Sequence, residues 1–227
     1  MMPDVRIENE IKMYSPGGPF AYEGNDPSER MDAFLYVFRE AGFSCTPPKV
    51  SRHTDYYYTD TAGEFDVNRT ILRYRDLGGK AFLTIKIPAM EHGLGLSRRE
   101  IEGEVLNDSR FDRWKSVQDY ATEHCGPVEI RKVPSLITEV TRGRCQITSE
   151  VMTYTFTFDR MIYHDPVSGR RSKACYELEF ESLDKDIEDD PAINRLVMIL
   201  SDRYMFEEEK ISKYERGRAF LRSIGSR

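Results

Sequence analysis

Along most of the chain apolar and polar residues alternate with a period of two, the spacing of a strand with one buried face. In Val5-Arg6-Ile7-Glu8-Asn9-Glu10-Ile11-Lys12-Met13, one face carries Val5, Ile7, Ile11 and Met13, and the other carries Arg6, Glu8, Glu10 and Lys12. The same period predicts strands over residues 4–13, 54–60, 69–76, 81–88, 98–106, 135–147, 151–163 and 173–182. The last two are joined by His164-Asp165-Pro166-Val167-Ser168-Gly169, which suits a hairpin loop. Helical spacing takes over in four places. Asp26-Pro27-Ser28-Glu29 has the capping side chain and first-turn proline of a helix start, and Met31, Phe34, Leu35, Val37 and Phe38 give that helix an apolar face up to Gly42. Further helices are predicted from Arg110 to His124, from Pro191 to Arg203 behind an Asp189-Asp190 cap, and from Lys213 to Ser223. Tyr14 to Asn25, with Ser15-Pro16-Gly17-Gly18-Pro19, reads as a loop. Strands in such close succession favour antiparallel pairing. With no Gly/Ser/Pro linker dividing the chain, the expectation is a single domain over residues 1–227, α+β and predominantly β, with helices at the periphery.

The polar faces of these strands are unusual. A solvent face mixes Thr, Ser, Lys and Glu, whereas Glu177, Glu179 and Glu181 share one face opposite Tyr176, Leu178 and Phe180. Leu72-Arg73-Tyr74-Arg75 aligns two arginines, Thr84-Ile85-Lys86 adds a lysine between apolar neighbours, and Arg142-Gly143-Arg144 repeats the arginine pair. Glu100, Glu102 and Glu104 add further carboxylates. Like charges side by side in a sheet repel unless something neutralises them. Glutamate pairs beside arginine pairs on one surface would suit a divalent cation with a polyanion, because Mg²⁺ takes oxygen ligands and shares substrate phosphates, while Arg and Lys clamp phosphate oxygens.

Composition narrows the field. Of 227 residues 39% are hydrophobic and 32% charged, which describes a soluble globular protein rich in charge, and the net charge of −6 argues against a partner as polyanionic as duplex nucleic acid. Cys45, Cys125, Cys145 and Cys175 are widely spaced with no CxxC pair, which disfavours zinc. No apolar stretch approaches membrane-spanning length, and Asp4, Arg6, Glu8 and Glu10 stand where a signal peptide would be apolar. The expectation is a cytoplasmic protein with reduced, mostly buried cysteines and no membrane partner. The four histidines show no ligand spacing, and Trp114 and Tyr120 sit at helical spacing suited to a core. Tyr56, Tyr57 and Tyr58 suit a strand packed on a helix, or a surface on which a base could stack.

Glu8-x-Glu10-x-Lys12 resembles the ExExK signature of the CYTH, or triphosphate tunnel metalloenzyme, superfamily. The family continues with an Arg-x-Arg strand, a Lys strand, a later Arg strand, an Asp strand, an ExE strand and a terminal Lys. Arg73/Arg75, Lys86, Arg142/Arg144, Asp159, Glu177/Glu179 and Lys213 follow in that order, so the resemblance covers residues 4 to about 217. It implies an eight-stranded antiparallel β-barrel open as a tunnel with charged side chains inside. By similarity Glu8, Glu10, Glu177 and Glu179 would bind Mg²⁺ or Mn²⁺ with Asp159 assisting, and Lys12, Arg73, Arg75, Lys86, Arg142, Arg144 and Lys213 would hold the triphosphate. Glu8, Glu10, Lys12 and Lys86 would serve the catalytic step. From the residues alone, Asp159 behind Thr153, Thr155 and Thr157 also fits a plain surface face, and Lys213 fits a helix start.

Relatives in the superfamily hydrolyse inorganic triphosphate, thiamine triphosphate or RNA 5′-triphosphates, or cyclise ATP. Thiamine triphosphatases of the mammalian type carry a tryptophan two residues before the first arginine of the Arg strand; here that position is Ile71. No nucleobase pocket is legible in the sequence. The expectation is therefore a metal-dependent hydrolase of inorganic or small organic triphosphate, with an adenylyl cyclase as the alternative and a non-catalytic binder of polyphosphate or nucleotides as a further one.

Overall fold

The computed structural model describes residues 4–15, 26–88, 98–105, 112–182 and 190–225, apart from the side chains of 4–9 and 98. The chain order is β1 (Asp4–Tyr14), α1 (Pro27–Glu40), β2 (Ser44–Cys45), β3 (Lys49–Tyr58), α2 (Glu64–Val67), β4 (Ile71–Asp76), β5 (Ala81–Pro88) and β6 (Arg98–Val105). There follow α3 (Arg113–Cys125), β7 (Leu136–Thr148), β8 (Thr153–His164), β9 (Cys175–Ser182), α4 (Pro191–Tyr204), β10 (Glu207–Glu208) and α5 (Lys213–Ser223).

Every pairing is antiparallel, and the long strands run in the order β1-β6-β5-β4-β3-β7-β8-β9. The circuit closes because β1 serves two neighbours. Its first half pairs with β6, Asp4 opposite Glu102 and Glu8 opposite Arg98, and its second half with β9, Asn9 opposite Ser182 and Tyr14 opposite Glu177. Eight strands thus make the ring expected from the sequence. Among the described residues the sheet has ten strands, since β10 continues the β6 edge of β1 at Met13 and Tyr14, and β2 extends β7 at Ile147 and Thr148. Two-residue strands carry too little alternation to be read from sequence. β3 also begins at Lys49 and not at residue 54, because Lys49 to Arg52 are all exposed and show no period.

Helices cover the outside. α1 is capped by Asp26, whose carboxylate accepts from the Ser28 amide at 2.9 Å, and it presents Met31, Phe34 and Phe38 to Phe156, Phe158 and Phe180 on the outer faces of β8 and β9. Its close approach explains the glycine of Arg142-Gly143-Arg144: a Cβ at Gly143 would lie 2.5 Å from Met31 Sδ. α3 covers β3 to β6, with Val117 and Ala121 against Leu72, Leu83 and Ile85. Tyr56 and Tyr58 belong to that packing, with the Arg113 guanidinium 3.9 Å over the Tyr56 ring, whereas Tyr57 points the other way, into the ring. Trp114 is partly buried on α3 and donates to the Ile130 carbonyl at 3.2 Å.

α5 crosses one end of the barrel, against Tyr57, Leu136 and Tyr163. Gly217 makes this possible, because a Cβ there would lie 2.2 Å from Leu136 Cδ2 and 2.9 Å from Tyr163 Cδ1. Among the described residues no helix is long and apolar enough to cross a membrane. All four cysteines are free; Cys145 is buried, but Cys125 is exposed and Cys45 and Cys175 are half-buried, so the expectation of mostly buried thiols does not hold. The loop expected at Tyr14 to Asn25 lies outside the described residues from 16 onward.

Candidate functional site

Inside the ring is a cavity of about 230 Å³, and nearly every inward position around it is polar or charged. A closed barrel of this size either fills its interior with side chains or holds one small ligand. The period-two faces read from the sequence turn inward as sets: Glu10 and Lys12 from β1, Arg73 and Arg75 from β4, Lys86 from β5, Arg142 and Arg144 from β7, and Glu179 and Glu181 from β9. Lys213 reaches in from the first turn of α5. Ile71, at the position of the thiamine enzymes' tryptophan, lines the cavity beside Tyr57 and Tyr214.

Two charged clusters, each with its own counter-ions, occupy opposite walls: one around Arg73, Arg75 and Lys86 and one around Asp159, Glu177 and Glu179. Four steps around the circuit separate β4 from β9 and β5 from β8. On the basic wall Arg75 forks onto Asp55, with Nε to Oδ1 at 2.8 Å and Nη2 to Oδ2 at 2.9 Å. Arg73 donates to Thr84 Oγ1 at 3.0 Å and lies 3.5 Å from Glu102, 3.7 Å from Glu100 and 4.0 Å from Asp55. Lys86 stands 3.6 Å from Glu100.

On the acidic wall Asp159, Glu177 and Glu179 offer carboxylate oxygens that all lie within 4.8 Å of one another. Asp159 and Glu177 are fully buried, which removes the surface reading of Asp159. Lys213 Nζ sits at their focus, 2.9 Å from Asp159, 2.8 Å from Glu177 and 2.8 Å from Glu179. Each carboxylate also has a further cation. Arg142 forks onto Asp159 at 2.7 and 2.6 Å and lies 3.6 Å from Glu179; Lys12 lies 3.9 Å from Glu179; Arg216 contacts Glu177 and, at 3.0 Å, Glu209. Arg142 and Arg144 both line the cavity, Arg142 half-buried on Asp159 and Arg144 exposed. Lys213 is both the first residue of a helix and a cavity residue.

Burial and pairing set the charges. Burial alone would push the Glu179 carboxyl up, but Lys213, then Lys12 and Arg142, outweigh it and hold the group well below the usual carboxylate range. Asp159 is likewise lowered against its burial, by Arg142 and Lys213. At Glu177 burial wins and the carboxyl is raised despite Lys213 and Arg216. Burial opposes the charge of Lys213 too, yet the three carboxylates raise its ammonium well above the ordinary value. Asp55 is held far below its normal range: burial opposes this, and Arg75 and Arg73 overcome it. His53, beside Asp55, is pushed down to about 3 by burial and by Arg75, so it is neutral.

Not every expected ligand joins the cluster. Glu10 pairs with Lys12 and stands opposite Glu181 in the β1–β9 register, on the cavity but outside the group of three. Glu8 is in β1, and its side chain lies outside the described residues. Several residues of the site escaped the sequence reading: Asp55, Arg216 and Tyr214, and the role of Glu100 and Glu102 as partners of Arg73. A second cavity, of about 470 Å³, adjoins the first at Ile71 and Tyr214, with Phe65 and Ile211 on its apolar side and Arg69, Arg218 and Arg222 on its basic side.

The family model described as the CYTH domain matches residues 32–216. No curated protein matches in sequence. Among solved structures, a candidate adenylate cyclase from Bacillus halodurans superposes with a TM-score of 0.56 at 16% identity, covering 93% of this chain and 97% of its own. The PH1819 protein of Pyrococcus horikoshii OT3 gives 0.51 at 23% identity over 95% and 99%. A candidate adenylyl cyclase from Hippeastrum, described as having a dominant triphosphatase activity, gives 0.51 at 16% over 94% and 96%. At these identities the likeness speaks for the fold.

Proposed function

The chain belongs to the CYTH domain family, and from that premise we propose that it is a divalent-metal-dependent triphosphatase working inside the barrel. The observation that carries this reading is the cluster of three carboxylates on β8 and β9, of which Glu179 faces Arg73, Arg75 and Lys86 across a cavity of about 230 Å³ while Asp159 and Glu177 are fully buried beside it. Asp159, Glu177 and Glu179 fit a hard divalent cation, because all their donors are carboxylate oxygens and are spaced to share one ion. Glu10, and Glu8 on the same strand face, would complete the acidic set. Mg²⁺ or Mn²⁺ held there would supply Lewis-acid polarisation of the phosphoryl oxygens.

The remaining work falls to the chain's own side chains. Arg73, Arg75 and Lys86 bind the phosphates from one wall, and Lys12, Arg142, Arg144 and Lys213 from the other. Together they hold the triphosphate straight and offset its charge as it shifts during transfer. Glu10, which lines the cavity paired with Lys12, would accept the proton of the attacking water. The water oxygen bonds to the terminal phosphorus, the bond to the bridging oxygen breaks, and phosphate and diphosphate leave. Ile71 in place of a stacking ring disfavours thiamine, and a lumen of phosphate-binding groups suits inorganic triphosphate.

The second cavity favours another reading, in which the substrate carries an organic group. Were that group a nucleoside, attack of the ribose hydroxyl on the α-phosphorus would give a cyclic nucleotide and diphosphate. Both readings set the reaction among small soluble anions, in a cytoplasmic context suited to four free thiols. The test is product analysis over inorganic triphosphate and ATP with Mg²⁺, Mn²⁺ or excess chelator. Phosphate plus diphosphate, lost in chelator, supports the triphosphatase; cyclic AMP as the main product installs the cyclase; full activity in chelator removes the metal.

A further inference from the structure

Lys213 occupies a position that its local sequence does not favour. It is the first residue of α5, behind the Ser212 cap and its capping box with Glu215, where the helix dipole repels a cation. Its ammonium is also removed from water, with the side chain 11% exposed. What compensates is contact at 2.8–2.9 Å with all three of the carboxylates whose oxygens lie within 4.8 Å of one another.

Resting on the metal reading above, we propose that Lys213 is an exchangeable internal counter-cation. It neutralises the three carboxylates in the resting protein, competes with the divalent ion for them, and on yielding turns its ammonium to the phosphates. Three features carry this. First, among the described residues Lys213 is the cation that contacts all three carboxylates, so its charge and a dication's address the same three groups. Second, the carboxylates do not depend on Lys213 for their placement. Asp159 keeps its Arg142 fork, Glu177 keeps Arg216, and Glu179 keeps Arg142 and Lys12. Third, the exchange needs no movement of α5. The capping box fixes the backbone at Ser212, and a flexible four-carbon stem lets the ammonium swing toward the cavity that Ser212, Lys213 and Tyr214 already line. Metal and triphosphate then favour each other's binding, since the first frees a ligand for the second.

The test is calorimetric titration of Mn²⁺ into wild type, Lys213→Met and Lys213→Arg, alongside hydrolysis rates. Lys213→Met is expected to bind Mn²⁺ about tenfold or more tightly than wild type, since three buried carboxylates have lost a shared cation, and yet to hydrolyse triphosphate more slowly. Lys213→Arg is expected to keep the weaker Mn²⁺ binding. Equal or weaker Mn²⁺ binding by Lys213→Met, with wild-type binding measurable, overturns the proposal and leaves the metal reading intact. Absence of Mn²⁺ binding in every protein overturns both. Should Lys213→Met not fold, amine acylation of wild type followed by peptide mass spectrometry decides. Mn²⁺ is expected to accelerate labelling of Lys213 relative to the exposed Lys115; an unchanged or slower rate refutes the exchange.

Discussion

Asp55 is the internal partner of the basic wall, and replacing it by asparagine separates what that wall does for the fold from what it does for a ligand. The carboxylate is fully buried and takes both arms of the Arg75 fork, at 2.8 and 2.9 Å, with Arg73 a further 4.0 Å away. Asparagine keeps the shape and one acceptor but removes the charge. Taking one partner from a buried ion pair costs about 3–5 kcal/mol. Arg73 retains Glu100 and Glu102, so the loss falls mainly on Arg75, and about 3 kcal/mol is the expected penalty. For a chain of this size that lowers the melting temperature by roughly 6–12 °C. The freed guanidinium then offers its fork to a phosphate, so the variant should gain more from a triphosphate than wild type does. A ligand at 100 times its Kd stabilises by about 2.7 kcal/mol, enough to recover most of the loss. The assay is thermal unfolding of both proteins with and without inorganic triphosphate, in chelator so that no metal contributes. Equal melting temperatures, or a larger triphosphate shift in wild type, would refute the account of Arg75.

Three further outcomes follow from the geometry. Arg73→Ala should weaken triphosphate binding and turnover together while leaving Mn²⁺ affinity near wild type, because Arg73 sits on the wall opposite Asp159, Glu177 and Glu179; unchanged triphosphate affinity in calorimetry would take Arg73 out of the substrate's reach. Gly217→Val should push α5 off Leu136 and Tyr163, destabilising by about 1–3 kcal/mol and lowering activity through the displaced Lys213, whereas a variant that melts and turns over like wild type would contradict the close approach. His53 stays neutral in the fold down to about pH 3, while the unfolded chain protonates near 6.5, so stability must fall as pH drops between those values, by up to about 1.4 kcal/mol per pH unit from this residue. His53→Gln should remove that share of the slope in denaturant titrations from pH 6 to 4, and an identical slope in both proteins would mean that His53 protonates inside the fold.

The strand framework was legible because period-two alternation is a local property, and it survives wherever one face meets the core. Most of the site was legible for the same reason: Arg73 with Arg75, Glu177 with Glu179 and Arg142 with Arg144 each share a face whatever the tertiary fold. Hidden residues are those whose meaning depends on a distant strand. Asp55 lies between Thr54 and Tyr56 in an aromatic run and acquires its role only through Arg75 on the next strand. Arg216, one turn after Lys213, looks like an ordinary solvated helix charge until α5 is laid across the barrel. Nor could the sequence tell that three carboxylates would converge on one ammonium, since Asp159 and Glu177 meet through the β8–β9 register.

The double duty of β1 has a bearing on how the molecule assembles. The ring is complete when the second half of the first long strand is zipped onto β9, with Asn9 opposite Ser182 and Tyr14 opposite Glu177, about three quarters of the chain away. Closing so long a loop costs entropy before any contact repays it, and the cost falls on the folding rate more than on final stability. The same zipping brings Lys12 beside Glu179. Until that pairing forms, Glu179 lacks the Lys12 ammonium as a partner and keeps Lys213 and Arg142. The seam thus joins charges as well as strands, and dissolved salt, which screens them while they are still exposed, scarcely reaches them in the finished interior.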